Sequence, residues 1–389
     1  MKNKFKNMDK FLFLLIVLYT ILGLVMIFSA SSMTAVLEYG KSESYFFVRQ
    51  LIFVVAAYIA GFIILFIPNK LINLIKKMSK VIVLCAIGIL LITMIFGVER
   101  NGVTSWLDIG PITLQPSEFV KTMTIMFIAF SFNNPHKMFK GYKFLMPFVY
   151  GVICVALIAA QPDFGTAMIL AITCFLMFIS LPLRDKNYTK LKIVAGTFAT
   201  VCACLFFLGA DILKHTPLTD EQLSRLTYHN PCTRYREKTG YQVCNGYIAI
   251  NNGGLFGAGL GNSKQKYLYL PEAYTDFIFP IITEELGSIA ASLILIGFLI
   301  MLLRILKIAR ESETLTGSLL AYGTFALITA HLLINLLGVL AIIPLTGVPL
   351  PFLSNGGSFA LNLIILLFIT ERVSIENKTR KLKREIANI

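Results

Sequence analysis

Charged residues and tryptophan are scarce in this 389-residue chain. Charged residues make up 14% of it and hydrophobic residues 56%, a single Trp stands beside 31 Phe, and the mean hydropathy is +0.75. A typical soluble domain has about 25% charged residues and could not bury this much apolar surface. The composition therefore excludes an ordinary soluble fold and favours a protein that is largely surrounded by lipid.

Sequence signatures of nucleotide, metal and serine-hydrolase sites are also missing. Glycines cluster near position 257, but the stretch GAGLG at 257–261 has the spacing of neither phosphate-binding fingerprint. The histidines show no metal-ligand spacing, and no Ser/His/Asp arrangement can be recognised. Nucleotide binding is therefore rejected, and no metal site can be assigned. The histidines are His136, His215, His229 and His331.

Apolar runs recur along the whole sequence, and ten of them can be drawn as membrane spans. Crossing the hydrocarbon core takes ~20 helical residues. The first run follows the basic stretch Lys2–Lys10 and is too long for a secretory signal peptide, so we interpret it as a retained span. We predict an all-α, polytopic integral membrane protein with about ten transmembrane helices in a single domain, 1–389. The predicted spans are Phe11–Ala30, Leu51–Ile67, Val81–Phe96, Glu118–Phe132, Phe144–Ala160, Thr166–Leu183, Leu191–Gly209, Phe277–Leu303, Ser318–Ile343 and Ser354–Thr370.

The net charge of +14 comes from basic residues that lie between these runs. They concentrate at the N-terminus, in alternate connections and in the tail, which is the positive-inside bias of cytoplasmic loops and not a nucleic-acid patch. We therefore predict that both termini are cytoplasmic. The basic tail, 371–389, either lies against anionic headgroups or is a solvated tail. The large loop 211–275, between the seventh and eighth spans, is predicted to be extracytoplasmic.

Two of the seven cysteines lie in this large loop. In an oxidising exterior Cys232 and Cys244 could form a disulfide, and two free thiols are the alternative. The other five cysteines fall in apolar runs, where they are interpreted as small packing residues.

Ionisable residues at the spans are candidate site residues, because a charge in a lipid-facing helix costs ~3 kcal/mol. In QPSEFVK (115–121), the spacing of three places Glu118 and Lys121 on one helical face, where they can pair beside a polar cavity. A purely structural ion pair is the alternative. In QPDFGT (161–166), Asp163 precedes the sixth span, where it either caps the helix or contacts substrate.

The strongest candidate lies where the large loop meets the eighth span. The stretches YLPEAYTDFIF (269–279) and EELG (284–287) bring four carboxylates together, among them Glu272 and Asp276. Asp276 lies at the membrane boundary and is best placed to act as a general base, with helix capping as the alternative.

The segment Ile343–Ser358 contains prolines and glycines that prevent a regular helix. Irregular backbone at membrane depth is tolerated only inside protein or along a wet cavity. We therefore predict that this segment, which includes Ser354, forms a cavity wall. A purely structural re-entrant segment is the alternative.

Together these motifs resemble those of the FtsW, RodA and SpoVE family of shape, elongation, division and sporulation proteins. The patterns QPSE-x-x-K, QPD-x-G, LPE-x-x-TDFIF with EELG, and P-x-TG-x-PLPF-x-S-x-GGS follow one another in the family's order. The stretch GNSKQK at 261–266 is closer to the division branch. The resemblance implies a peptidoglycan glycosyltransferase that polymerises lipid II at the outer face of a bacterial cytoplasmic membrane, in septal wall synthesis.

The resemblance also implies roles for single residues and a set of partners. Asp276 would take the proton from the acceptor hydroxyl. Glu118 and Lys121, with a divalent cation such as Mg²⁺ or Mn²⁺, would position the acceptor or steady the diphosphate leaving group. The implied partners are a class B penicillin-binding protein, other division proteins, lipid II and membrane lipids, without nucleic acid. Further candidate substrate contacts are Asp163, Arg225, Glu272 and Ser354.

The chain departs from the family pattern at four positions. The family's common residues there are His, Tyr, Arg and Gln, and this chain has Tyr274, Asn355, Ser105 and His331 in their places. None of these changes removes a carboxylate.

Three other functions stay open from the sequence: a lipid II flippase or transporter, an elongation polymerase, and a scaffold. A transporter predicts ionisable groups near the membrane midplane and paired broken helices. The carboxylates here cluster at the outer boundary instead. A scaffold would have no need of Asp276.

Overall fold

The computed structural model describes a bundle of α-helices with one small sheet. The described residues are 6–100, 102–110, 112–182, 189–197, 230–236 and 238–387. Six of the described helices are long and apolar enough to cross a membrane, so the predicted fold class is confirmed. The helices are α1 Lys10–Leu37, α2 Tyr45–Phe66, α3 Asn69–Lys77, α4 Ser79–Phe96, α5 Pro116–Ser131, α6 Pro135–Met138, α7 Met146–Ala159, α8 Phe164–Ser180, α9 Lys238–Gly253, α10 Ile278–Arg310, α11 Leu315–Val339 and α12 Gly357–Ala387.

Every predicted span except the seventh coincides with one of these helices. The seventh, Leu191–Gly209, is described only as far as 197, where residues 189–197 are helical, so the number ten stays a prediction. Large apolar side chains on the bundle's outer faces are exposed, as Leu14, Leu18 and Ile21 on one face of α1 show. Such a surface is stable only against lipid.

Helix α12 lies at the centre of the bundle and contacts α1, α2, α5, α10 and α11. Small residues let the neighbouring helices approach closely. A Cβ atom at Gly61 of α2 would overlap the ring of Phe368 on α12. That ring also packs edge-to-face against Phe13 and Phe62, so α1, α2 and α12 share one aromatic contact.

One end of the bundle joins the two ends of the described chain, and we call it the basic end. Asp9 caps α1 by accepting from the Leu12 N–H at 3.1 Å and accepts from Arg304 Nε at 2.7 Å. The backbone N–H of Asp9 donates to Glu371 Oε2 at 2.9 Å, and Lys378 donates to a backbone carbonyl beside it. The N-terminal residues, α10 and α12 are therefore fixed together here.

A small antiparallel sheet follows α4 at the opposite end of the bundle, which we call the cavity end. Its strands are β1 Val98–Arg100, β2 Val103–Ile109 and β3 Ile112–Leu114, in the order β1-β2-β3. Leu107 pairs with Leu114 across β2 and β3. The sequence does not predict these strands, because they are short and lie between two strongly apolar runs.

The described part of the large loop is folded and docks on α10. The disulfide between Cys232 and Cys244 is present, so that alternative is confirmed, and it links a short 3₁₀ turn to α9. The loop then meets a break in α10 at Gly287, which has φ +84°. The N–H groups of Ala258 and Gly259 donate to the carbonyls of Glu284 and Glu285 at 2.9 and 3.0 Å. The break in α10 thus gains backbone partners from the loop.

Candidate active site

A cavity of about 500 Å³ opens at the cavity end, within the size range of small-molecule sites. Its wall is made by Tyr39 just after α1, the N-terminal parts of α2, α5, α8 and α9, strands β2 and β3, the turn before α10, His331 of α11 and the segment 345–359. Every carboxylate predicted as a site residue lines it, so groups far apart in the sequence meet in one place. These are Glu118, Asp163, Glu272 and Asp276.

Asp276 lies in the turn that leads into α10 and is 8% exposed. The Thr275 hydroxyl, which has a closer acceptor in Glu272 Oε2, lies 3.2 Å from its Oδ1, and its backbone carbonyl accepts from Asn335 Nδ2 at 2.7 Å. Opposite Oδ2 lies Gly347, whose φ of +66° favours glycine and whose missing side chain leaves space beside the carboxylate. Glu272, four residues earlier, is exposed at the rim.

Glu118 and Lys121 form an ion pair in the first turns of α5. Lys121 Nζ lies 2.8 Å from Glu118 Oε1, and the two side chains are only 1% and 3% exposed. Lys121 Nζ also lies 2.9 Å from His331 Nε2 on α11 and 5.5 Å from the centre of the Phe359 ring. The predicted pairing is present, and Lys121 also contacts His331, which the sequence showed only as a departure from the family pattern.

Asp163 takes the capping role that the sequence left open, and its contact with substrate stays a prediction. Its Oδ1 accepts from the Thr166 N–H at 3.1 Å and so caps α8. Its Oδ2 accepts from Gln115 Nε2 at 2.9 Å on the cavity wall. Asp163 is therefore a capping residue that also lines the cavity.

The segment 345–359 forms the wall that its prolines and glycines suggested. Ser354 is 1% exposed, and its hydroxyl accepts from the Leu350 N–H at 2.8 Å. Asn335 donates to the carbonyl of Val348 at 2.8 Å. The structure thus gives Ser354 a part in shaping the segment from behind, while its contact with substrate stays a prediction.

The sequence matches a family profile described as cell cycle protein, for FtsW, RodA and SpoVE, over residues 9–379. The probable peptidoglycan glycosyltransferase FtsW of Bacillus subtilis strain 168 is 36% identical over 392 residues, which cover 98% of this chain and 95% of that protein. Stage V sporulation protein E of the same organism is 35% identical, with 92% and 94% covered. The chain belongs to the FtsW/RodA/SpoVE family.

Solved structures of similar fold agree with this membership. A structure that describes the coordination of polymerization and crosslinking by a peptidoglycan synthase complex has a TM-score of 0.72 at 19% identity, covering 95% of this chain and 98% of that one. The rod shape determining protein RodA of Thermus thermophilus has a TM-score of 0.65, also at 19% identity, with 94% and 96% covered. At this identity the likeness establishes the fold.

Two carboxylates of the family's EELG motif lie behind the cavity wall. Glu285 accepts from the Ser29 hydroxyl at 2.7 and 2.8 Å and pairs with Lys266 at 3.3 Å. Glu284 accepts from the Ser263 hydroxyl and from Asn252 Nδ2. Of the four carboxylates that the sequence grouped here, two face the cavity and two anchor the loop.

Two further cavity residues were given no role from the sequence: Arg49 was not noted, and Tyr274 was noted only as a departure from the family pattern. Arg49 at the start of α2 lines the cavity. The positive-inside bias favours cations at the other end of the bundle, so an arginine at this end could have been identified from the sequence as a candidate site residue. Tyr274 packs on Phe46 with ring centres 4.6 Å apart. Burial raises the pKa of the Tyr274 phenol, so it stays a neutral O–H group on the wall. Arg225 lies outside the described residues.

A metal site made by the protein alone is not present among the described residues. Within these ranges no three His, Cys, Asp or Glu side chains lie close enough to hold an ion. Glu118 Oε1 is already bound to Lys121. The divalent cation that the family resemblance suggested therefore stays a prediction.

Proposed function

We propose that this member of the FtsW/RodA/SpoVE family is a peptidoglycan glycosyltransferase that polymerises lipid II during septal wall synthesis. The observation that carries the proposal is the meeting of Asp276 with the buried Glu118–Lys121 pair around one cavity at the end of a membrane bundle. The names of the FtsW relatives support the reaction, and the description of the family as cell cycle protein supports its place in division.

The reaction joins two lipid-linked sugars. The hydroxyl of the acceptor sugar attacks the anomeric carbon of the donor, a new C–O bond forms, and the bond to the diphosphate breaks with its electron pair leaving on the phosphate oxygen. Asp276 takes the proton of the attacking hydroxyl as a general base. Asn335 holds the backbone carbonyl of Asp276 at 2.7 Å, so the turn that carries the carboxylate has a defined position.

The leaving diphosphate needs positive charge nearby. Among the described residues, Arg49 is the one arginine or lysine that lines the cavity, and its guanidinium lies over the ring of Tyr45, 5.7 Å from the ring centre. Lys121 is one layer deeper and compensates the charge of Glu118, which faces the cavity. We assign Arg49 to the diphosphate and Glu118 to the acceptor sugar.

The cavity surface suits the sugar headgroup of a substrate that also has a hydrophobic tail. Aromatic side chains cover much of its wall and offer apolar faces on which sugar rings can pack. The polyprenyl tails would lie in the lipid along the exposed apolar sides of the bundle. The aromatic lining residues are Tyr39, Tyr45, Phe46, Phe53, Trp106, Tyr274 and Phe359.

The orientation in the membrane follows from the distribution of charge. The basic end carries Lys76 and Lys77 in the last turn of α3, Lys307 and Arg310 at the end of α10, and the basic tail, so we place it in the cytoplasm. The cavity then opens outside, where lipid-linked precursors are polymerised.

The proposed partner is a class B penicillin-binding protein, which would crosslink the strands that this chain makes. A protein of similar fold acts within a peptidoglycan synthase complex, and this supports the pairing. Other division proteins and the role of Arg225 remain parts of the same proposal.

A lipid II flippase is the competing function. Such a transporter would need ionisable groups along a path through the membrane. The cavity carboxylates lie instead at helix starts of one end: Glu118 in the first turn of α5, Asp163 at the N-cap of α8, and Asp276 before α10. This placement favours a catalytic site at one face of the membrane over a transport path through it.

Polymerisation of labelled lipid II by the full chain, co-purified with the class B penicillin-binding protein of the same organism, tests the proposal. Asp276→Asn keeps the shape of the side chain and removes the base, so glycan formation should fall ~10²–10⁴-fold. Glu99→Gln is the matched control, because this exposed carboxylate on β1 lies outside the cavity lining. Polymer made equally well by the Asp276→Asn protein would refute the assigned base.

A further inference from the structure

His331 is buried within α11, and both of its ring nitrogens have partners. The residue is 1% exposed, and its ring stacks on the ring of Phe359, with the two ring centres 4.4 Å apart. Nδ1 lies 3.2 Å from the carbonyl oxygen of Pro349, and Nε2 lies 2.9 Å from Lys121 Nζ. The ring therefore bridges α5 and the wall segment 345–359.

These partners determine where the proton of the ring is. The Pro349 carbonyl can only accept, so Nδ1 must carry the hydrogen and donate. The Lys121 ammonium can only donate, so Nε2 must be the bare nitrogen that accepts. His331 is then neutral with a fixed tautomer, and Lys121 keeps a further N–H for Glu118 at 2.8 Å.

Asn335 repeats this arrangement one helical turn later on the same face of α11. Its Nδ2 donates to the carbonyl of Val348 at 2.8 Å and to the carbonyl of Asp276 at 2.7 Å. Two side chains of one helix thus hold two successive carbonyls of the wall. His331 also contacts Lys121 of the Glu118–Lys121 pair, and Asn335 also contacts the backbone of Asp276, the proposed base.

We propose that His331 and Asn335 are positioning residues that fix the distance between the Glu118–Lys121 pair and Asp276. We call these two residues the α11 bracket. His331 acts as a rigid donor and acceptor and carries no proton in the reaction. The proposal deepens the polymerase function above and rests on it for its kinetic test, but not for its spectroscopic one.

Substitution by glutamine separates positioning from proton transfer. Gln offers one N–H donor and one carbonyl acceptor, so His331→Gln can serve both Pro349 and Lys121, yet it cannot exchange a proton. We expect this variant to keep the activity of the wild type. His331→Leu offers neither contact and should lower kcat for lipid II ~100-fold with KM little changed, because small misplacements of reacting groups have effects of this size.

The control is Thr324→Val on the same helix. Thr324 is buried and polar, bonded to the Thr370 hydroxyl at 2.9 Å, and lies outside the cavity lining. It should leave polymerisation unchanged. Asn335→Leu should lose activity as His331→Leu does, and thermal unfolding of each purified protein shows that the variants are folded.

The tautomer itself can be measured without any activity. In protein labelled with ¹⁵N-histidine in lipid, His331, assigned by its absence in the Gln variant, should show a protonated Nδ1 and a bare Nε2 throughout the pH range of activity. An imidazolium signal, or a folded His331→Gln protein as inactive as His331→Leu, would overturn the proposal. A wild-type protein that fails to polymerise lipid II but shows this signal would refute the polymerase function and leave the bracket geometry intact.

Discussion

In the described part of the chain, two buried lysine–glutamate pairs lie at the cavity end, and they differ in how many hydrogen-bond donors of the protein their carboxylates accept from. The anchor pair, Lys266–Glu285, joins the large loop to α10 at 3.3 Å. Glu285 also accepts from the Ser29 hydroxyl at both oxygens. The cavity pair, Lys121–Glu118, joins two turns of α5 at 2.8 Å, and its carboxylate borders the cavity.

The difference indicates how a structural ion pair can be distinguished from a functional one in this fold. Removing a charge from water is costly, and the anchor pair offsets that cost by hydrogen bonds within the protein. The cavity pair leaves its glutamate facing a space where a substrate hydroxyl can bind. A buried ion pair is therefore a site candidate when a carboxylate borders a cavity, and a structural element when protein donors surround it.

Breaking the anchor pair should have the largest effect, and that effect should be on stability. Lys266→Met leaves Glu285 as an uncompensated buried charge, which costs ~3–5 kcal/mol. Thermal and denaturant unfolding of the purified protein measure the loss. The matched control is Lys307→Met, which breaks an exposed pair between the last turn of α10 and Glu311 just after it, and should change stability by less than ~1 kcal/mol.

Neutralising both partners of the anchor pair sharpens this test. The double variant Lys266→Met with Glu285→Gln removes the buried charges together, so most of the lost stability should return. Polymerase activity should return with it. A double variant that is stable but inactive would show that the anchor pair has a direct part in the chemistry.

Breaking the cavity pair should instead affect activity first. Lys121→Met leaves Glu118 beside the cavity, where water can reach it, so the fold should tolerate the change better than the anchor variant does. Polymerisation of lipid II should fall ~10²–10³-fold, as expected when one electrostatic partner is lost from an active site. A Lys121→Met protein that polymerises normally but unfolds readily would place the cavity pair with the structural ones.

The sequence predicts the bundle well because hydropathy is a local property. Each described span was visible as an apolar run, and the irregular wall was visible from its prolines and glycines. Asp276 was found because its motif lies at the junction of a loop and a span. None of these inferences needs knowledge of which helices touch.

The parts that could not be predicted depend on contacts between distant residues. Lys121 and His331 are separated by 210 positions, and Ser29 and Glu285 by 256. Nothing in the motif at 269–287 tells which of its carboxylates face the cavity, because the break at Gly287 and the docked loop decide this in three dimensions. Strand β2 was missed since short strands between spans have no distinct hydropathy.

Asp163 gives the finest test of the comparison, because it borders the cavity while protein donors bind both of its oxygens. If occupancy by protein donors decides the role, Asp163→Asn should keep both the cap on α8 and nearly all of the activity, since Asn caps helices as well as Asp and the Gln115 amide can turn its oxygen toward the new NH2 group. Asp163→Ala should lose the cap and ~1 kcal/mol of stability. Melting temperature and lipid II polymerisation, measured on both variants, separate these effects. An Asn variant that melts like the wild type but makes no glycan would mean that the negative charge itself contacts substrate. A position beside the cavity would then decide the role of a carboxylate, even when protein donors bind both of its oxygens.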